Sequence, residues 1–209
     1  MSENGAVEAL EIERKYELRA GAALPSAEAF AAVGLTVGAP AVHELQASYF
    51  DTPTLELAEQ RLAMRRRAGG KDDGWHLKAK GDGSVRELMW PLSETVPAGL
   101  LSEVEDRLGQ GAGDRLGAIA TLRTTRTTVL LLAETGEPVI EIADDLVDAT
   151  NELSGVRQAW REWEAELMPG LTDESLLDSI EPLLVAAGGT RVWGTSKIQR
   201  TMGANGASA

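Results

Sequence analysis

The chain has 209 residues, 33 acidic against 20 basic side chains, a formal net charge of −13 and no cysteine. The length suits one domain with a substantial core, and the missing cysteines exclude disulfides, thiolate metal sites and a cysteine nucleophile. The acidity argues against a general nucleic-acid binder, because phosphate backbones reward a basic surface, and with no signal peptide and no apolar run of transmembrane length a cytoplasmic location without a membrane partner is expected.

Residues 1–8 read as a disordered start, residues 9–202 as a single domain, and the small, polar residues 203–209 as a disordered tail. A strand is expected over 9–19. Pro25-Ser26-Ala27-Glu28 opens a short helix to Val33, with Ser26 as its cap and Gly34 as its stop. Residues 42–51 read as a strand ending in the turn Asp51-Thr52-Pro53, and residues 55–59 as a helical turn. Strands over 60–67, 74–80 and 85–90 form an antiparallel meander, turned at Gly69-Gly70 and at Gly81-Asp82-Gly83. A helix over 100–108 stops before Gly109. Strands over 120–134 and 137–148 meet in a hairpin at Thr135-Gly136, and another strand covers 157–167. A helix over 172–185 ends before Gly188-Gly189, and residues 196–200 read as a last short helix.

Alternation along these strands sorts full charges onto one side. Glu11, Glu13, Lys15 and Glu17 oppose Leu10, Ile12, Tyr16 and Leu18, with Arg14 the exception. Arg65 and Arg67 oppose Leu62 and Met64, whereas Arg66 has the wrong parity and is expected to face solvent. Lys78 and Lys80 oppose Trp75, Leu77 and Ala79. Glu141, Ala143 and Asp145 oppose Ile140 and Ile142, and Glu162, Glu164 and Glu166 oppose Trp163, Ala165 and Leu167. Two architectures satisfy this pattern: a sandwich with its charges in water, or a barrel with charges lining the bore and apolar faces outward beneath helices. Acids fall on the first and late strands and bases on the middle ones. Facing walls of opposite sign suit a small polyanion held with metal cations better than random solvation does. With only His43 and His76 available, oxygen ligands and hence Mg²⁺ or Mn²⁺ are favoured over Zn²⁺. The five tryptophans are expected to pack in the core or between barrel and helices, Tyr49 suits either base stacking or such packing, and His76, with the parity of Lys78, suits either the lining or an exposed place near a turn.

These segments together resemble the CYTH superfamily, or triphosphate tunnel metalloenzymes. Glu11-Ile12-Glu13-Arg14-Lys15 is similar to its ExExK signature and Tyr49-Phe50-Asp51-Thr52-Pro53 to its YFDTP turn. Leu62 to Arg67 resembles its LxxRxR strand, and Leu77-Lys78-Ala79-Lys80-Gly81 its LKxKG strand. Asp144-Asp145 and Glu162 to Glu166 resemble its late acidic strands, and Ser196-Lys197 its SK motif. Two departures stand out: Met89 takes the place of a second carboxylate after Glu87, and Thr124 that of a base before Arg126. The resemblance implies a mainly antiparallel α+β fold, a closed eight-stranded barrel with a charged interior and flanking helices.

It also implies a small phosphate-rich substrate, either triphosphate or a nucleoside triphosphate, with Mg²⁺ or Mn²⁺. Arg65, Arg67, Lys78, Lys80 and Arg126 are then expected on the phosphates. Glu11, Glu13, Glu162, Glu164 and Glu166 are expected on the metal, and Lys15, Lys197 and Glu13 in catalysis. Glu87, Glu141, Asp145 and Arg200 are further candidates. The expected reaction is divalent-metal-dependent hydrolysis of a phosphoanhydride, first of inorganic triphosphate. A class IV adenylyl cyclase, a thiamine triphosphatase and a non-catalytic polyphosphate- or nucleotide-binding module are the alternatives.

Overall fold

The computed structural model describes residues 5–81 and 84–203. The frayed residues expected at 1–4 and 204–209, and Asp82 and Gly83 of the expected turn, lie outside them.

The fold is α+β and dominated by one antiparallel sheet. The N-terminal strand is read as two, β1 (Val7–Glu11) and β2 (Glu13–Leu18). The two-residue β3 (Thr36–Val37) and the long β4 (Ala41–Asp51) follow. The meander is β5 (Leu62–Ala68), β6 (Gly74–Lys80) and β7 (Val85–Trp90). Next come β8 (Gly117–Leu132), β9 (Pro138–Asn151), β10 (Arg157–Leu167) and the short β11 (Gly189–Val192). The hydrogen-bonded order is β1-β7-β6-β5-β4-β8-β9-β10-β2-β11, with β3 on the edge of β8.

This corrects the expected eight strands to eleven among the described residues, and the ladder runs as an open path. The reason lies at Ile12. Val7 to Glu11 pair with β7, whereas Glu13 to Glu17 pair with β10, so the strand changes partner there. β7 and β10, far apart along the path, therefore pair with one continuous stretch of chain. Val7 and Glu8, expected to be frayed, are held in β1 by this pairing.

Five α-helices lie among the described residues: α1 (Ala27–Ala31), α2 (Glu56–Glu59), α3 (Ala98–Leu108), α4 (Ser175–Ala186) and α5 (Lys197–Thr201). Ser26 caps α1 as expected, its side chain accepting from the Ala29 amide at 3.4 Å. The Asp51 carboxylate accepts from the amides of Thr52, Leu57 and Ala58, which starts α2 immediately after β4.

Two apolar cores form on the side of the strands away from the sorted charges. In one, Ile12, Tyr16, Ile140, Ile142, Trp163 and Ala165 pack with Phe30 of α1 and Leu177, Ile180 and Leu184 of α4. In the other, Leu62, Met64, Trp75, Leu77, Leu88 and Trp90 pack with Leu57 of α2 and Leu100 and Val104 of α3. Helices thus cover the apolar strand faces and leave the charged faces turned toward each other. A third group, Tyr49, Ile119, Leu122 and Val147, receives Ile198 and Met202 of α5.

Candidate active site

The charged faces line a cavity of about 1370 Å³. Glu11, Glu13, Lys15, Arg65, Arg67, Lys78, Lys80, Glu87, Arg126, Glu141, Glu164, Glu166 and Lys197 all border it, so most of the sorted charges reach one space. Strand register explains their pairings, because residues directly opposite on neighbouring strands meet side by side. Lys78 lies opposite Glu87, Glu164 opposite Lys15, Glu166 opposite Glu13 on one side and Glu141 on the other, and Arg126 opposite Asp145.

One cluster centres on Glu164. Its carboxylate receives Lys15 at 2.6 Å, Arg126 at 2.6 Å and Lys197 at 2.8 Å. Arg126 also forks onto Asp145 at 2.8 and 2.6 Å, and Lys197 reaches Asp145 at 2.9 Å and Glu162 at 2.6 Å. Lys197 is delivered by the first turn of α5, which a capping box between Ser196 and Gln199 starts. Burial alone would raise Glu164, but Lys15, Lys197 and Arg126 outweigh it and hold the carboxylate well below its usual range. Asp145, Glu162 and Glu164 form a buried acidic cluster that could hold a metal ion. Three cations already neutralise that cluster.

A second cluster centres on Glu87. His76 Nδ1 lies 2.8 Å from its carboxylate, Lys78 3.3 Å and Arg65 3.4 Å. Against the cost of burial, His76, Lys78 and Arg65 keep Glu87 well below the ordinary carboxylate range. Lys78 also donates to both oxygens of Glu11, at 2.8 and 2.6 Å. Arg67 donates to Asp72 on the β5–β6 turn.

Between the clusters lie the carboxylates with least compensation. Burial pushes Glu11 up to about 7 against the pull of Lys78. Burial, and then the charges of Glu11 and Glu13, push Glu166 up to about 8. Among the described residues Glu166 has no ion-pair partner, while Glu13 has only Lys15 at 3.0 Å. Three crowded, buried carboxylates that share only Lys78 and Lys15 fit an oxygen-ligated divalent ion.

Not every expected residue lines the cavity. Glu162 and Asp145 sit behind it, reached through Lys197. Lys80 is at its edge, donating to the Gly194 carbonyl. Glu141 is held by Lys71. Arg200 lies outside, 3.3 Å from Glu17 and 4.8 Å over the Trp160 ring. Arg66 faces outward and donates to the Ser93 carbonyl at 3.0 Å. Trp75, Trp90 and Trp163 are core residues as expected; Trp193 instead is 74 % exposed, with the Arg191 guanidinium 3.7 Å over its ring.

Three features escaped sequence reasoning. Asp72 lies in a turn, where parity carries no signal. Tyr49 and His76 are both buried, Tyr49 against Arg65 and His76 against Glu87, a choice between alternatives that the sequence left open. Arg14, the exception on its strand, points to the helix side and is held by Asp178 at 2.6 Å and Glu181 at 2.8 Å of α4. Its spacing from the neighbouring acids gave no hint of α4.

A family model described as CYTH domain matches residues 9–202. Two uncharacterized proteins of Mycobacterium tuberculosis, Rv2226 and MT2285, are each 35 % identical over 93 % of this chain; the chain spans 40 % of their length. Among solved structures, an adenylate cyclase candidate from Bacillus halodurans superposes with a TM-score of 0.59 at 21 % identity, covering 92 % of this chain and 97 % of the other. HpAC1 from Hippeastrum, an adenylyl cyclase candidate described as having a dominant triphosphatase activity, superposes with a TM-score of 0.55 at 18 % identity, covering 93 % and 96 %. At these identities the two structures show a shared fold. No helix among the described residues is long and apolar enough to cross a membrane.

Proposed function

This chain belongs to the CYTH domain family, and on that premise we propose that it hydrolyses a phosphoanhydride of a triphosphate, first of inorganic triphosphate, inside a closed tunnel. One observation carries the reading: a cationic wall of Arg65, Arg67, Lys78 and Arg126 and a set of under-neutralised glutamates, Glu11, Glu13 and Glu166, border one cavity. Closure is inferred from the chain itself. Counting β1 and β2 as one strand interrupted at Ile12, the path from β7 to β10 returns to where it started and comprises eight strand positions.

A triphosphate carries about four negative charges, and burying them requires matched cations. The guanidinium groups suit bidentate contact with non-bridging oxygens, and Lys78 acts as a point charge. Glu11, Glu13 and Glu166 would hold a divalent cation such as Mg²⁺ or Mn²⁺, whose chemistry there is to neutralise charge on the phosphate chain and lower the pKa of water. Water attacks the terminal phosphorus in line as the bridging P–O bond breaks, giving phosphate and diphosphate. Arg65, Arg67 and Arg126 compensate the charge on the transferred group. Lys15 and Lys197, each held by acids, neutralise the leaving diphosphate. A glutamate of the trio accepts the proton that water loses.

The cavity is larger than the 300–1,000 Å³ or so of common small-molecule sites. That size favours one second reading, cyclisation of ATP to cyclic AMP. Incubation with inorganic triphosphate or with ATP, each with Mn²⁺, separates the two. Phosphate release from triphosphate is the expected result; cyclic AMP from ATP without phosphate release from triphosphate would overturn it. Glu13→Gln is expected to keep the fold, read by circular dichroism, and to lose at least about 100-fold in turnover.

A further inference from the structure

The turn from β5 to β6 is tied across the cavity. Gly70, Lys71 and Asp72 border the cavity. The Asp72 carboxylate accepts from Arg67 Nη1 and lies 3.9 Å from Arg65 Nη2. Lys71 donates to Glu141 of β9, although β4 and β8 separate β5 from β9 in the sheet. The backbone is seated on β4: a Cβ on Gly69 would stand 2.0 Å from the Glu44 carbonyl oxygen, at a φ of +82°. His76, only 1 % exposed, holds the other side of the turn, with Nε2 3.0 Å from the Asp72 carbonyl oxygen and Nδ1 on Glu87.

We propose that Asp72 is a built-in counter-anion that occupies the Arg65–Arg67 pair until a phosphate group displaces it, and that residues 69–73 form a strap released in that exchange. This rests on the functional reading in one respect, that these arginines receive phosphate. Both arginines are only 7 % exposed, and Arg65 and Arg126 act on Arg67 as like charges. Buried guanidinium groups so placed need an anion at all times. Asp72 supplies it when the site holds no ligand, and the two arginines keep its carboxyl ionised, down at about 2.

The exchange is graded by charge. A carboxylate ligand would replace one carboxylate with another and gain nothing. A phosphate terminus brings more charge and three acceptor oxygens, and it gains the difference. The strap is thus a filter for polyanionic phosphate chains over ordinary organic acids. Lys71 adds the complementary half: its departure frees the carboxylate of Glu141, directly opposite Glu166 on β10. One segment therefore carries an anion for the phosphate wall and a cation for the glutamate wall. The work of displacing them scales apparent affinity down to the intrinsic affinity multiplied by the fraction of time the strap is open.

Isothermal titration with inorganic triphosphate, without divalent cation so that no turnover intervenes, tests this on wild type, Asp72→Asn, Arg67→Gln and the double variant. Asp72→Asn is expected to bind about tenfold tighter than wild type, and the gain is expected to vanish in the Arg67→Gln background. Equal or weaker binding by Asp72→Asn with a native circular dichroism spectrum would overturn the proposal. So would the same gain in both backgrounds, which would reduce it to net charge. Hydrogen exchange on wild type needs no variant: amides of residues 70–73 should exchange faster with saturating triphosphate, and slower exchange there would contradict release. Phosphate release is scored separately. A wild type that binds and loosens its strap without hydrolysis would sink the proposed reaction and leave the strap standing.

Discussion

Glu166 marks the point where the site is least balanced. Its neighbours on both strands, Glu13 and Glu141, are also acids. A carboxyl raised from an ordinary value near 4.5 to about 8 binds its proton more tightly folded than unfolded. Its contribution to stability is therefore full below about pH 4.5 and is lost as pH rises toward 8, at up to about 1.4 kcal/mol per pH unit. Without divalent cation, the melting temperature should fall across that window, and Mg²⁺ or Mn²⁺ should restore it more at pH 8 than at pH 5. Glu166→Gln should shrink both the fall, leaving the part that the raised Glu11 contributes, and the rescue, while lowering turnover at least about 100-fold. A flat wild-type profile, unchanged by the ions, would contradict this placement of the cation. At low pH the sign reverses. Glu87, Asp145 and Glu164 have lowered pKa values, so the stability they contribute is lost as pH falls below the usual carboxylate range. The parity of Glu162, Glu164 and Glu166 was legible in the sequence because a two-residue period fixes which face a strand residue takes. Which of those acids already has a cation was not, since that depends on α5 bringing Lys197 to one end of β10 and not the other.

At the scale of elements, long strands with one apolar face were readable and very short ones were not. β3 has two residues and β11 four, too few for alternation to register. The break at Ile12 is likewise invisible, because a strand that exchanges one partner for another keeps its own periodicity. Arg14 is the instructive exception. It occupies an apolar-face position in β2 and is 6 % exposed, yet it reaches the carboxylates of α4. The pair ties helix to sheet, and Arg191 of β11 joins through Glu181 at 2.8 Å. Arg14→Ala is expected to cost about 1–3 kcal/mol in urea unfolding, by leaving a gap and freeing the acids. Arg14→Met, which fills the space with an apolar chain and leaves those acids access to water, should recover most of that loss. Equal midpoints for wild type and Arg14→Ala would show that the contact does not join α4 to β2. Gly69→Ala should be costlier than alanine at an exposed turn, because the new Cβ has no room against the Glu44 backbone.

For the molecule as a whole, the usual polarity of a sheet is turned around. Apolar strand faces look outward into helices, in two separate cores, and charged faces look inward on a shared space. The sequence carried this inversion as strand-by-strand sorting of sign, which surface strands have no reason to show. The number and closure of the strands were less legible, because they depend on pairings between residues far apart in the chain. The most direct test of the central claim is a crystal structure grown with inorganic triphosphate and Mn²⁺, with manganese located by anomalous scattering. Manganese is expected on Glu11, Glu13 and Glu166, with phosphate oxygens within hydrogen-bonding distance of Arg65, Arg67, Lys78 and Arg126. Triphosphate on the outer surface, or manganese among Asp145, Glu162 and Glu164 with Lys197 expelled, would contradict it.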